Sequence, residues 1–157
     1  MVIFLGIGTN LGDREANLRT ALQLLHERVG ECLACSSIYR SMPQGFVSEN
    51  EFANMVVVCQ TDHSPEDVLL ITQQIEREMG RTEKSVNGIY HDRLIDIDLL
   101  KALLPSNSPY ENYVEGDELV CCTETLTLPH PRMHERDFVL LPLREVETIL
   151  KPLAFSL

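Results

Sequence analysis

Two aspartates set two apart, Asp96 and Asp98, stand inside the short apolar run Arg93-Leu94-Ile95-Asp96-Ile97-Asp98-Leu99-Leu100. If the run is a strand, successive side chains point to opposite faces, so the two acids share one face and Ile95, Ile97 and Leu99 the other. An unpaired carboxylate is costly to bury, and a bound cation is the usual partner for two at once. Spaced about 7 Å apart at roughly 3.3 Å per residue, the pair could bracket two Mg²⁺ ions about 3.5–4 Å from each other. Oxygen-only ligation suits Mg²⁺, which keeps waters and takes its remaining ligands from substrate phosphates. The alternative is a strand end whose aspartates are solvated or salt-bridged to neighbouring arginines.

Other residues bear on the same question. Residues 81–93 are polar, lack a core pattern and read as a loop carrying Arg81, Lys84 and Arg93, either a clamp for a polyphosphate or a solvated charged surface. Gln73 and Glu76 lie three apart and so share a helix face, usually a solvated one. Asn54 is the polar exception near the start of an apolar strand; its amide needs partners, which backbone or the edge of a heterocycle would supply. The run from Pro129 to Leu140 packs His130, Arg132, His134, Glu135, Arg136 and Asp137 beside two prolines, a density of ionisable groups that packing does not explain. Gly6-x-Gly8 invites a dinucleotide reading that fails, because the third glycine would fall on Leu11; with no Gly-Lys-Ser/Thr either, the loop reads as structural. Cys32 and Cys35 form a C-x-x-C within an expected strand, where positions three apart face opposite sides. Redox pairs of that spacing normally start a helix, so the five cysteines read as small hydrophobes.

The elements that must position these groups follow from periodicity. Strands are expected over 2–7, 32–40 and 52–60, with short candidates at 119–120 and 126–128. A helix over about 15–29 has Ala16, Leu18, Ala21, Leu22, Leu24 and Leu25 as its stripe. A second starts at Ser64-Pro65-Glu66-Asp67, with serine at the cap, proline in the first turn and acids toward the positive end. It runs to Met79 with Val68, Leu69, Ile71, Ile75 and Met79 inward, and Gly80 closes it. A third spans about 137–146 with Phe138, Leu141 and Val146 inward. Residues 105–118 read as a surface excursion. At 157 residues the chain is sized for one domain, residues 1–157, able to bury a core without staples. A formal charge of −11 argues against nucleic-acid or acidic-membrane partners. Five cysteines, no signal-peptide pattern and no apolar run of spanning length read as a soluble, cytoplasmic protein.

Taken together, Gly6-Ile7-Gly8-Thr9-Asn10-Leu11-Gly12-Asp13, Ser37-x-Tyr39-Arg40, Phe52-x-Asn54, Gln73-x-x-Glu76 with Gly80-Arg81, Arg93-x-x-Asp96-x-Asp98 and Pro129-His130-Pro131-Arg132-Met133-His134-Glu135-Arg136-x-Phe138-Val139 resemble the 6-hydroxymethyl-7,8-dihydropterin pyrophosphokinase family. The resemblance spans nearly the whole chain. It implies a ferredoxin-like α+β sandwich, with a mainly antiparallel sheet, helices on one side and the substrate cleft on the other. It implies transfer of a diphosphate from ATP, the co-substrate, to the hydroxymethyl group of the pterin, with AMP released. Asp96 and Asp98 would hold two Mg²⁺ ions. Arg81 and Arg93 would serve as catalytic phosphate-binding groups, with Lys84 nearby. His130 would contact the triphosphate, Arg136 would close over the site, and Gln73 and Glu76 would line the ATP side. The pterin would lie between Phe52 and Phe138, its edge read by Asn54 and by Ser41, Met42, Pro43 and Gln44. The chain departs from the family in His91-Asp92 before Arg93, where a small pair is usual, and in Glu83, where a basic residue is frequent. Its partners would be these small molecules, its state a monomer or weak oligomer, and its length implies no fused folate enzyme. A binding module without turnover and a ferredoxin-like interaction domain are the competing classes.

Overall fold

A computed structural model describes residues 1–42, 50–80, 94–104 and 117–150. Its centre is strand β1, Val2–Thr9, which pairs antiparallel on one side with β4, Phe52–Gln60, and on the other with β5, Asp96–Leu104. Strands β2, Glu31–Cys35, and β3, Tyr39–Ser41, pair with successive parts of β4, and β6, Asp117–Glu118, with the end of β5. The order is β2-β4-β1-β5-β6, with β3 also on β4. Helix α1, Arg14–Arg28, follows β1, and α2, Pro65–Glu78, follows β4. This is the ferredoxin-like α+β sandwich that the sequence implies.

Alternation along the strands divides the interior into two cores. Ile3, Leu5, Ile7, Met55, Val57, Ile97 and Leu99 face α1 and α2, which contribute Leu18, Ala21, Leu25, Val68 and Ile75. Val2, Phe4, Val56, Val58, Leu100 and Leu103 face the other way, against Met133, Leu143, Val146 and Leu150. The second group is closed by helix α3, Asp137–Leu150, so helices lie on both faces rather than on one as expected, and among the described residues the cleft face is open near the start of α3. A register shift between Phe4 and Leu5 leaves Leu100 extra, so Leu100 and Lys101 both serve the α3 side. The Lys101 ammonium lies 4.8 Å from the centre of the Phe4 ring and 2.6 Å from Glu147 of α3.

Local chemistry explains the boundaries. Asp13 accepts the Ala16 N–H to cap α1, and Ser64 accepts the Asp67 N–H to cap α2. Gly12 and Gly80 have φ of +67° and +100°, backbone that other residues adopt only with strain. Strand β1 runs on to Thr9, through the glycines expected to turn, and the loop at 10–13 is held by its own hydrogen bonds: the Asn17 amide donates to Thr9 Oγ1 and the Leu11 carbonyl, Asn10 Nδ2 to the Asn50 carbonyl, and Arg14 Nη1 to the Glu51 carbonyl at 2.6 Å. It thereby anchors the approach to Phe52.

Several expectations change. The strand expected over 32–40 breaks in two because the Ser36 hydroxyl accepts the Val56 N–H, taking the place of a backbone carbonyl in the ladder. The candidate at 119–120 is not a strand: Val120 points to solvent, and the pairings fall on either side, in β6 and in β7, Cys121–Cys122, which joins β8, Thr127–Leu128. Helix α3 runs to Leu150 rather than Val146, and Leu141 is 46% exposed, because Pro142 and Leu143 take the inward positions. The calls on residues 43–49, 81–93 and 105–116 lie outside the described residues.

Candidate active site

Register builds the site. On β1, Gly8 is paired with Asn54 on one side and Asp96 on the other, and Gly6 with Val56 and Asp98. Gly6, Gly8, Asn54, Val56, Asp96 and Asp98 all fall on the α3 face of the sheet. The central strand has no side chains at these two steps, so a hollow runs from the Asn54 amide across bare backbone to the acids. With Phe52, Ser41 and Met42 at one end and Arg132, Glu135, Arg136, Phe138 and Val139 rising from the start of α3, it encloses a cleft of about 410 Å³. That lies within the range of roughly 300–1,000 Å³ usual for small-molecule sites.

Asn54 is 5% exposed, and both of its amide hydrogens are used: Nδ2 donates to the Tyr39 carbonyl at 3.1 Å and to Ser41 Oγ at 2.8 Å. Backbone is therefore one of its partners. What it turns over Gly8 is Oδ1, 3.2 Å from where a Cβ on that residue would stand. The Asn54 edge facing the cleft is thus an acceptor, suited to the N–H groups of a heterocycle.

Arg136 supplies the carbonyl that accepts the first bond of α3, from the Leu140 N–H, and its guanidinium lies 5.7 Å from the centre of the Phe138 ring. Pro142 cannot donate to the carbonyl four residues back, which belongs to Phe138, so the turn carrying Phe138 is set apart from a regular helix. Glu145, two turns on, accepts Tyr39 Oη at 2.7 Å, the Ser37 N–H at 3.0 Å and Ser37 Oγ at 2.9 Å. These donors hold its carboxyl below the ordinary range, and the same contact raises the Tyr39 hydroxyl.

The cleft therefore brings together Asp96, Asp98, Ser41, Met42, Phe52, Asn54, Arg136 and Phe138. His130 is adjacent but not in the lining: its N–H donates to the Leu100 carbonyl at 2.7 Å, and its Nδ1 accepts the Arg132 N–H. Gln73 and Glu76 sit on α2, against the opposite face of the sheet. Glu76 is 4% exposed, so it is not the solvated surface group that the spacing suggests. Pro43, Gln44, Arg81, Lys84 and Arg93 lie outside the described residues. Sequence reasoning passed over Gly6, Gly8, Arg132, Glu135 and Val139 as cleft residues. The signal for the glycines was their spacing of two inside a strand, which bares one face.

Cys32 and Cys35 form no pair with each other. Cys32 faces Cys59 across the β2–β4 ladder with their sulfurs 3.6 Å apart, and the hydrogen bond from Cys59 lowers the Cys32 thiol to about 7. All five cysteines are free thiols.

A sheet face with two acids, sharing one cleft with Phe52, Phe138 and the arginines just ahead of α3, has the layout of a small-molecule enzyme site. The family model for 7,8-dihydro-6-hydroxymethylpterin-pyrophosphokinase (HPPK) matches residues 4–148. A 2-amino-4-hydroxy-6-hydroxymethyldihydropteridine pyrophosphokinase of Porphyromonas gingivalis is 46% identical over 151 residues, 96% of this chain and 94% of that protein. The enzyme of the same name from Bacillus subtilis is 39% identical over 146 residues, 92% and 77% of the two chains. The chain belongs to the HPPK family. Among solved structures, an HPPK-DHPS in complex with substrates superposes with a TM-score of 0.61 at 17% identity, over 93% of this chain. The Plasmodium falciparum HPPK-DHPS with pteroate gives 0.61 at 17% identity over 92%. This chain spans 40% and 38% of those two solved chains, and their likeness is one of fold.

Proposed function

We propose that the cleft binds the pterin alcohol and the phosphate tail of ATP side by side, with Asp96 and Asp98 holding two Mg²⁺ ions at the join. As a pyrophosphokinase of its family, the protein transfers a pyrophosphoryl group from ATP to the hydroxymethyl group of 6-hydroxymethyl-7,8-dihydropterin, a step of folate synthesis. The observation that carries the site assignment is the pair of rows Asn54-Gly8-Asp96 and Val56-Gly6-Asp98, which join a ring-sized slot to an acidic end on one face.

Among the described residues no cluster of three or more His, Cys, Asp and Glu side chains forms a metal cage. Two half-buried carboxylates offering only oxygen suit Mg²⁺, which completes its shell with water and phosphate. When bound, the ions would neutralise the charge of the polyphosphate. The rest is alignment by the chain's own groups. Phe52 and Phe138 sandwich the ring and Asn54 Oδ1 accepts from its edge, with Ser41, Met42, Pro43 and Gln44 alongside. The pterin hydroxyl then faces the β-phosphorus of ATP, and its attack there releases AMP. Arg136 closes over the cleft, while Arg81, Arg93, Lys84 and His130 take the phosphates; Gln73 and Glu76, on α2 and outside the cleft lining, could meet the nucleotide only beyond the edge of the sheet. No side-chain nucleophile is needed. In this reading residues 1–157 act as one domain, a monomer or weak oligomer. The free thiols support a reducing, cytoplasmic setting.

Incubation of the pure protein with ATP, Mg²⁺ and the hydroxymethyl dihydropterin tests the reading. AMP and the pterin diphosphate are expected in equal amounts. ADP in place of AMP would contradict the transfer, and the absence of any nucleotide product would leave a binding module.

A further inference from the structure

Ser37-x-Tyr39-Arg40 has no part in the chemistry above, yet its two hydroxyls converge on one carboxylate, Glu145, from 106 and 108 residues away in sequence. Both ends of this junction lead to the cleft. On the strand side, Tyr39 is the register partner of Asn54 in the β3–β4 ladder, and its carbonyl takes one of the Asn54 amide hydrogens. The second hydrogen goes to Ser41 Oγ, two residues further along β3. The position of β3 therefore sets which way the Asn54 amide is turned. On the helix side, Glu145 is seven residues beyond Phe138, which puts the two on the same side of α3 about 10.5 Å apart. The Phe138 turn lacks the hydrogen bond that Pro142 cannot give, so its own helix constrains it less than usual.

The geometry points to Glu145 as a positioning residue for the pyrophosphokinase reaction: by tying α3 to β3 it sets both the gap between Phe138 and Phe52 and the orientation of the Asn54 amide. It touches no substrate. A second tether on the same helix, Lys101 to Glu147 at 2.6 Å, binds α3 to β5 instead and reaches neither Asn54 nor β3. The two tethers differ in what they position, and that difference separates positioning from general stabilisation. The inference rests on the pterin slot proposed above.

The test measures binding of the hydroxymethyl dihydropterin and, separately, of a non-hydrolysable ATP analogue with Mg²⁺. The proteins are the wild type, Glu145→Ala, Glu145→Gln, Tyr39→Phe, Glu145→Ala with Tyr39→Phe, and Lys101→Met. Displacement of one slot wall by a fraction of an ångström predicts a pterin Kd raised about tenfold in Glu145→Ala, with the analogue's Kd changed less than about twofold. Tyr39→Phe should weaken the pterin about threefold, and the double variant should be no worse than Glu145→Ala alone, since the two residues share one interaction. Glu145→Gln, which keeps an acceptor oxygen, should recover part of the loss. Lys101→Met should lower Tm and leave the pterin Kd in place. A folded Glu145→Ala or Tyr39→Phe that binds the pterin as the wild type does overturns the inference, as does a Lys101→Met that weakens it equally. Failure of the wild type to bind the pterin would instead overturn the site reading itself.

Discussion

Replacing Gly8 by alanine puts one methyl group on the floor of the slot. The new Cβ would stand 3.2 Å from Asn54 Oδ1 and 3.6 Å from Phe52 Cδ1, between the two groups proposed to read and stack the ring. A ring resting on bare backbone sits at a carbon–carbon distance of about 3.5–4.0 Å. A Cβ projects about 1.5 Å from its Cα, so the ring must rise by a comparable distance or leave. Loss of the Oδ1 hydrogen bond, about 1 kcal/mol, and of good stacking, another ~1 kcal/mol, weakens pterin binding by about 2 kcal/mol, or roughly thirtyfold. Turnover suffers further, since a displacement of about 1 Å at the reacting hydroxyl can cost a hundredfold. Stability should move little, because alanine in a strand gains about 0.5–1 kcal/mol over glycine, against the tight contact with Oδ1. Gly6→Ala is the internal comparison: its Cβ would meet Leu100 at 3.4 Å, away from Asn54 and Phe52, so the loss should be several times smaller. Calorimetric titration with pterin and with the ATP analogue, alongside thermal melts, reads each quantity. A Gly8→Ala protein with unchanged Tm and a pterin Kd within about twofold of wild type would refute the account of the floor.

The acids, the tether and the thiols give further expectations. Asp96→Asn and Asp98→Asn should each keep the fold and lose at least about a thousandfold in turnover, the several kcal/mol that metal-assisted charge neutralisation supplies; full activity in either removes that residue's role. Glu145 has a lowered carboxyl, so its contribution to stability is present above the ordinary carboxylate range and lost as pH falls through its folded value. The Tm gap between wild type and Glu145→Gln should therefore hold through neutral pH, begin to narrow as pH falls into the ordinary carboxylate range and close only below it; a gap unchanged in acid would show that the charge is irrelevant. Tyr39, raised by the same contact, loses its share only as pH climbs above the ordinary tyrosine range. Alkylation of Cys32 should show a midpoint near 7, and Cys59→Ala should move it upward; no movement would mean that the Cys59 hydrogen bond is not the cause.

What the sequence determined by itself was local. Alternation put Asp96 and Asp98 on one face and Ile97 and Leu99 on the other, and a serine, proline and acids in the right order started α2. Those signals depend on neighbours a few residues apart, so one chain suffices to read them. The motifs, taken together, also carried the family. Tertiary structure alone decided which faces meet: that Gly8 stands between Asn54 and Asp96, that an extra residue at Leu100 turns Lys101 toward α3, and that Leu141 looks outward while Pro142 and Leu143 look in. Register between strands tens of residues apart leaves no periodic trace in either strand, and neither does the meeting of the Glu145 carboxylate with two hydroxyls more than a hundred residues away. For the same reason no local pattern singles out Glu145; only folding brings Ser37 and Tyr39 to it.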